Sequence, residues 1–347
     1  MARAHCSSLH PAIHSINLAH IGVGSEATKM KLKTLAVFGL VGLMALASQA
    51  SDYPNKPVTL VVAYAPGGMT DILTRRIAAT LQSKLGRPFI VENRAGATGQ
   101  IATDYVRRQA PDGYTVLVGA TSHVINPALK SLPYDARKSF APVALLAVSP
   151  NFLLVNANKG IKNFAQFQAY AKTGSSISYG TAGTGGAPHI VGELLRKQSG
   201  LPLNHISYRG AGPAMADLIA GHVPFGISES VTANVYLESG KVLPLAVASA
   251  KRLIRYPNVP TLNELGFHNF DLSTWVGVYA PAETPQPILE LLNREMRAAI
   301  DQPATREYIH STGSEPGDLD LPKYRAFVEA EFAKWKSVVT EAGVKDE

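Results

Sequence analysis

Two stretches of this sequence carry residue types suited to holding an anion. Gly67-Gly68-Met69-Thr70-Asp71 follows a Val-rich apolar run over residues 58–65 and opens a helical pattern. Gly183-Thr184-Gly185-Gly186-Ala187-Pro188-His189 stands in the same relation to a short run over 177–179. Glycines permit backbone angles and close ligand approach that a side chain forbids. Thr70 or Asp71 can cap a helix, and Pro188 suits a first helical position. The free N–H groups and positive dipole end of each helix would then face whatever sits above the strand end. Thr121-Ser122-His123 with Asn126-Pro127 forms a third such loop, after the run 114–118. Three loops of this kind on one scaffold predict anion binding.

Catalytic signatures are absent from the sequence. Gly226-Ile227-Ser228-Glu229-Ser230 lacks the closing glycine of a nucleophile elbow. No H-E-x-x-H occurs, and Gly180 with Gly185 is followed by Gly186-Ala187 where a phosphate loop needs Lys. No catalytic residue, metal ligand set or cofactor is expected, and the chain is not expected to be an enzyme.

The elements that must position these loops alternate. Strands are expected at 58–65, 89–91, 114–118, 177–179, 203–208, 224–228 and 243–248. Helices are expected after Gly68 and at 100–109, 164–172, 189–198, 213–220 and 231–237. Strand–helix alternation with short loops predicts an α/β fold with mostly parallel sheets. Residues 142–155 hold two apolar runs separated by Pro150 and read as a crossover between domains. Residues 275–280 read as the return crossover, followed by helices at 288–300, 304–311 and 322–342. The expected architecture has two domains joined by two hinge strands. Domain 1 spans 51–152 and 274–347, and domain 2 spans 153–273. Ligands in open α/β sheets bind beyond the carboxyl ends of strands. Loops from two such domains would face each other across a cleft.

The amino terminus reads as a leader. Lys31-Leu32-Lys33 is a basic segment and residues 35–47 are an uncharged apolar run. That run is shorter than the ~20 residues a membrane span needs. Cleavage is expected after Ala50, where Ser48 and Ala50 supply small residues. Translation is expected to begin at Met30, which makes 1–29 an upstream extension. The nominal G-x-G-x-x-A at Gly22, Gly24 and Ala27 follows no strand and carries no weight. The chain has 347 residues, 46% hydrophobic and 17% charged, and a net charge of +7. Such a composition excludes intrinsic disorder, and its scattered basic residues argue against nucleic-acid binding. The single Cys, Cys6, precedes the leader. A cysteine-free exported chain fits the bacterial periplasm.

At this point the sequence resembles the Bug family, the periplasmic solute receptors of tripartite tricarboxylate transporters. Ala65-Pro66-Gly67-Gly68-x-Thr70-Asp71 and Glu92-Asn93-Arg94-x-Gly96-Ala97 match its pattern. So do Pro111-Asp112-Gly113-Tyr114-Thr115, Gly180-Thr181-Ala182-Gly183-x-Gly185 and His205-x-x-Tyr208-Arg209-Gly210. The matches cover essentially all of 53–344. The resemblance implies a two-domain periplasmic binding protein of type II-like fold, closing on a small carboxylate. It implies that Gly67–Asp71 and Gly183–His189 hold one carboxylate, largely through backbone amides and water. It places Thr121, Ser122 and Asn126 nearby. The ligand-binding set expected here is Tyr64, Gly67, Gly68, Met69, Asp71, Thr121, Ser122, Asn126, Gly183, Thr184, Gly185, His189, Ser228 and Glu229. Expected partners are the small carboxylate and the inner-membrane permease subunits, or a sensor kinase in their place, with the receptor a monomer.

The sequence also departs from the family pattern. Ala63 and Tyr64 stand where Pro and Phe are usual, and Ser228 stands where Asp is common. Ser228 offers a hydroxyl in place of a charge, which predicts a carboxylate ligand lacking an amino group. Glu229 opposes this if a bulge turns it into the pocket.

Overall fold

The computed structural model describes residues 53–174 and 176–344. The expected start at Met30, the leader and its cleavage after Ala50 lie outside the described residues.

The Val-rich run forms β1 (Val58–Val62), which lies between β2 (Phe89–Asn93) and β3 (Thr115–Ala120). Both pairings are parallel. Residues buried on both faces explain the unbroken apolar pattern of β1. Helix α1 (Met69–Leu85) connects β1 to β2 and stops at Gly86, whose φ of 67° is left-handed. Helix α2 (Gln100–Arg107) connects β2 to β3. After β3 the structure has a helix, α3 (Ser122–Leu129), where the sequence pattern suggested a loop. Pro127 inside it hides the helical signal, since proline disfavours helix interiors.

Pro150 then divides β4 (Phe140–Ser149) from β5 (Asn151–Asn156). Strand β4 belongs to the first sheet and β5 to the second. The second sheet contains β6 (Ile177–Thr181), β7 (Leu203–Ser207), β8 (Phe225–Glu229) and β9 (Val242–Ala248), in the order β7-β6-β8-β5-β9. Helices α4 (Phe164–Lys172), α5 (Ala187–Ser199), α6 (Ala211–Ala220) and α7 (Ser230–Glu238) flank it. The chain returns through β10 (Thr274–Pro281) and ends with α8 (Gln286–Ile300), α9 (Pro303–Ser311), β11 (Glu315–Pro316) and α10 (Leu321–Ala342). The first sheet has the order β11-β4-β10-β3-β1-β2. The βα units pair in parallel, while β10 runs antiparallel to both β3 and β4, and β5 antiparallel to both β8 and β9. Both sheets are therefore mixed.

The two crossings are tied to each other. Buried Asn151 donates from Nδ2 to the Leu272 carbonyl at 2.7 Å, and its Oδ1 accepts from Thr274 Oγ1 at 3.1 Å. Ser149, Ser230 and Ser314 form a buried hydroxyl triangle with edges of 2.9, 3.1 and 3.1 Å. These hydroxyls join the end of β4, the start of α7 and the residue before β11.

Helix α10 spans both lobes. Glu331 Oε2 accepts from the indole N–H of Trp275 at 2.7 Å and of Trp335 at 2.9 Å. Farther along, Glu341 accepts from Gln198 at 2.9 Å and Asn269 at 3.0 Å, both in the second lobe. One apolar cluster accordingly contains Leu117 and Trp275 of the first lobe, Leu153, Leu194 and Phe225 of the second, and Trp335. Truncating Trp275 to Ala is expected to cost about 3–5 kcal/mol, with one donor to Glu331 lost as well.

His123 packs inside the first lobe, 4.2 Å from the Tyr279 ring centroid and 5.2 Å from that of Phe140. Burial pushes its pKa down to about 4. A histidine held neutral in the fold binds fewer protons than in the unfolded chain between pH ~6.5 and about 4. Its stabilisation is complete above that window and is lost as pH falls through it, by as much as about 3 kcal/mol. Urea unfolding from pH 7 to 4.5 should therefore show a smaller loss of stability for His123→Leu than for wild type. Equal losses would refute this assignment.

Candidate functional site

The two glycine-rich loops share one local design. In the first lobe, Gly67 has φ 86° and Gly68 is the N-cap of α1 at φ −83°, ψ 172°. In the second, Gly185 has φ 78° and Gly186 is the N-cap of α5 at φ −84°, ψ 165°. In each, the amide of the first glycine donates to the side chain four residues on. Gly67 N–H donates to Asp71 Oδ2 at 3.0 Å, and Gly185 N–H donates to His189 Nδ1 at 3.2 Å. Neither N-cap has a side chain to accept from the helix's first amides. The positive-φ glycine turns the chain off the strand, and the side chain four residues later holds that turn. The first helical amides stay open towards the strand end, where an anion can accept from them.

Asp71 is committed to this task. It is buried, and its oxygens also accept from Arg75 Nε at 3.0 and 3.1 Å and from Asn93 Nδ2 at 3.0 Å. Burial opposes its charge, but the hydrogen bonds from Arg75, Gly67 and Asn93 win and hold its pKa below the ordinary value. Asp71 thus shapes the loop and has little capacity left for a ligand. His189 stacks on His205 with centroids 4.1 Å apart, and His205 Nε2 lies 2.7 Å from Thr181 Oγ1. Burial, then the neighbouring His189, pushes the His205 pKa down to about 4. Thr181 Oγ1 also donates to the Gly183 carbonyl at 3.0 Å, which fixes the loop's entry.

The second glycine-rich loop touches the first lobe. Thr98 Oγ1 donates to the Thr184 carbonyl at 2.9 Å. A Cβ at Gly185 would lie 2.9 Å from Leu129 Cδ1 and 3.8 Å from Asn126 Oδ1, both in the first lobe. Buried Asn126 donates to the Thr98 carbonyl at 3.3 Å. Thr98 is missing from the residues that sequence reasoning selected. Its signal is conformational: Ala97 and Thr98 adopt φ of 46° and 51°, between Gly96 and Gly99. Non-glycine residues held there cost about 1–3 kcal/mol each and mark functional loops.

Tyr64 and Ser122 share a short hydroxyl–hydroxyl hydrogen bond in the first lobe. Burial pushes the Tyr64 phenol up to about 12, against the hydrogen bonds from Ser122 and the Ala120 backbone, and Glu229 of the second lobe adds to the rise. Thr121 accepts from the Trp275 amide at 2.8 Å, so its hydroxyl ties β10 to α3. Met69 is buried in the first-lobe core beside Leu73. Ser228 and Glu229 end β8, opposite Phe152 and Asn151 of β5. Ser228 is buried. Burial holds the Glu229 carboxyl above the ordinary carboxylate range.

Two substitutions probe this arrangement. Thr98→Ala removes one neutral hydrogen bond across the cleft and should weaken solute binding about 2–10-fold. Gly185→Val forces a side chain onto a left-handed backbone and into Leu129, so it should weaken binding more than Thr98→Ala. Gly212→Ala on α6 is the control, since its Cβ would meet nothing within 4 Å. Calorimetric affinities ranked otherwise would contradict closure at these loops.

The model of the tripartite tricarboxylate transporter family receptor, TctC, matches residues 73–344. Protein BugT of Bordetella pertussis is 34% identical over 321 residues, spanning 90% of this chain and 98% of BugT. The structure of R. palustris Rpa4515 with adipate is 33% identical with a TM-score of 0.80, covering 85% of this chain and 99% of that one. The structure of MatC from Rhodopseudomonas palustris with bound malate is 32% identical with a TM-score of 0.77, covering 83% and 100%. The matched family is one of transporter receptors, not enzymes. With its two mixed sheets, its doubled glycine-rich loops and these matches, the chain belongs to the TctC family of periplasmic solute-binding receptors.

Proposed function

We propose that this receptor captures a small carboxylate, such as a dicarboxylate, between its lobes in the periplasm. It then delivers the acid to the inner-membrane permease subunits of a tripartite tricarboxylate transporter. The observation that carries this reading is the doubled loop, a glycine-capped helix N-terminus in each lobe, with the second loop bonded to the first lobe through Thr98 and Thr184. A carboxylate accepting from two helix N-termini is stabilised by both dipole ends without any cationic side chain. In this reading Gly67, Gly68 and Met69 contribute backbone from one side. Gly183, Thr184, Gly185 and the amides before His189 contribute from the other. Tyr64, Ser122, Asn126, Ser228 and Glu229 line the rest. Asp71, Thr121 and His189 hold the walls in place. We take the lobes to divide near 152/153 and 273/274, close to where the chain passes from β4 to β5 around Pro150 and back into β10 at Thr274.

The neighbours with adipate and with malate support a small organic acid as the ligand class. Isothermal titration with adipate, malate and a tricarboxylate should find one bound acid per chain, recovered chemically unchanged. Binding of none of them, or conversion of any, would contradict the proposal.

A further inference from the structure

The two glycine-rich loops are held by the same bond but not by the same chemistry. Gly67 N–H donates to a carboxylate, Asp71 Oδ2, at 3.0 Å, whereas Gly185 N–H donates to an imidazole, His189 Nδ1, at 3.2 Å. Against burial, the hydrogen bonds from Arg75, Gly67 and Asn93 hold Asp71 ionised below the ordinary carboxylate range, so the first loop keeps its acceptor in mild acid. An imidazole behaves differently. Nδ1 accepts only while it carries no proton, so the ring that holds the second loop is neutral and has its proton on Nε2. A proton added at Nδ1 turns the acceptor into a donor that faces a donor.

The surroundings make His189 the sensitive member of its pair. It is buried and stacks on His205, with ring centroids 4.1 Å apart and planes inclined by 34°. Thr181 Oγ1 gives its proton to the Gly183 carbonyl at 3.0 Å, so it accepts from His205 Nε2 at 2.7 Å. His205 can make that bond in either charge state, so of the two rings only His189 gives up a loop bond when protonated. Two imidazolium rings at this separation repel, so the pair takes up one proton at a time. Among the described residues, the titratable and charged groups that face the pair are Tyr179 on β6, whose ring centroid lies 5.1 Å from that of His205, and Glu193 with its partner Arg196 on α5. Glu193 accepts from Tyr179 and from Arg196, each at 2.7 Å, so its charge is already answered. From the first lobe, Leu129 and Asn126 approach Gly185, and neither titrates.

We propose that His189 is a proton-sensitive latch: neutral, it holds the amides of the second loop in place for a carboxylate, and protonated, it frees the loop, so that acid weakens solute capture. This rests on the reading of the cleft as a carboxylate site. The bound state then carries fewer protons than the free receptor wherever His189 titrates. Affinity therefore falls there by up to about tenfold for each unit drop in pH. An imidazolium would also attract an anion, but only after giving up the bond that aligns the proposed amide donors. Hydrogen bonds fall off with misalignment more steeply than charge falls off with distance in a wet cleft.

The test compares the full chain with His189→Asn, whose amide oxygen is attached where Nδ1 is and accepts without titrating. Affinities for malate and adipate are measured by isothermal titration from pH 7.5 to 4.5. The acids themselves titrate in this range, and the comparison of the two proteins cancels that effect. Wild type should lose about tenfold more affinity than His189→Asn across the range. Ring-nitrogen NMR of ligand-free wild type should show His189 Nδ1 unprotonated at pH 7.5 and protonated towards the acid end, with the Gly185 amide resonance moving over the same titration. Parallel pH profiles for the two proteins, tighter binding by wild type in acid, or an Nδ1 already protonated at pH 7.5 would each overturn the latch while leaving a carboxylate receptor standing. If His189→Asn does not fold, wild type decides alone: a ring that stays neutral to pH 4.5, or a Gly185 amide that ignores its titration, overturns the proposal. Failure of wild type to bind either acid at pH 7.5 overturns both the latch and the carboxylate reading.

Discussion

The two lobes are joined by two short crossings, and the buried Asn151 amide fixes one crossing against the other. Its nitrogen is satisfied just before the strand that returns to the first sheet, at Leu272, and its oxygen on that strand's first residue, Thr274. An apolar replacement would strand the Leu272 carbonyl and the Thr274 hydroxyl in the interior, at a cost of about 1–3 kcal/mol for each group left unpaired. The adjacent serine triangle and the Thr121–Trp275 bond complete a polar hinge. Everything else in the cleft depends on this hinge, because two helix N-termini can meet one anion only if the lobes approach along a defined path.

The hinge has a counterpart on α10. That helix is anchored to the first lobe through Trp275 and Glu331 and to the second through Glu341. Its apolar face is continuous with a core that spans both lobes. Helix α10 packs against α5, whose N-terminal end carries the second glycine-rich loop. Helix α10 grips α5 near its C-terminal end, through Lys197 and Gln198, at the end opposite the proposed ligand site.

Much of this was legible in the sequence. Strand β1, helix α4 and the Pro150 crossover lie where apolar periodicity and proline placed them, because burial dictates those patterns directly. Helix α3 was not legible, since Pro127 masks it and Asn126 and Ser122 are residues more usual in turns. The glycine-rich loops were visible as composition, but the roles of Asp71 and His189 were not. A side chain that accepts from an amide four residues back looks the same in sequence as one that touches a ligand. Thr98 was invisible for a related reason, as a left-handed φ at a non-glycine residue leaves no compositional trace.

The central claim is that the helix N-termini of both lobes converge on one carboxylate. A crystal structure with adipate or malate bound tests this most directly. The account predicts a ligand carboxylate within hydrogen-bond distance of backbone amides from both Gly67–Asp71 and Gly183–His189, directly or through one water. A ligand whose carboxylates are held by only one lobe, or that lies outside the cleft, would contradict it.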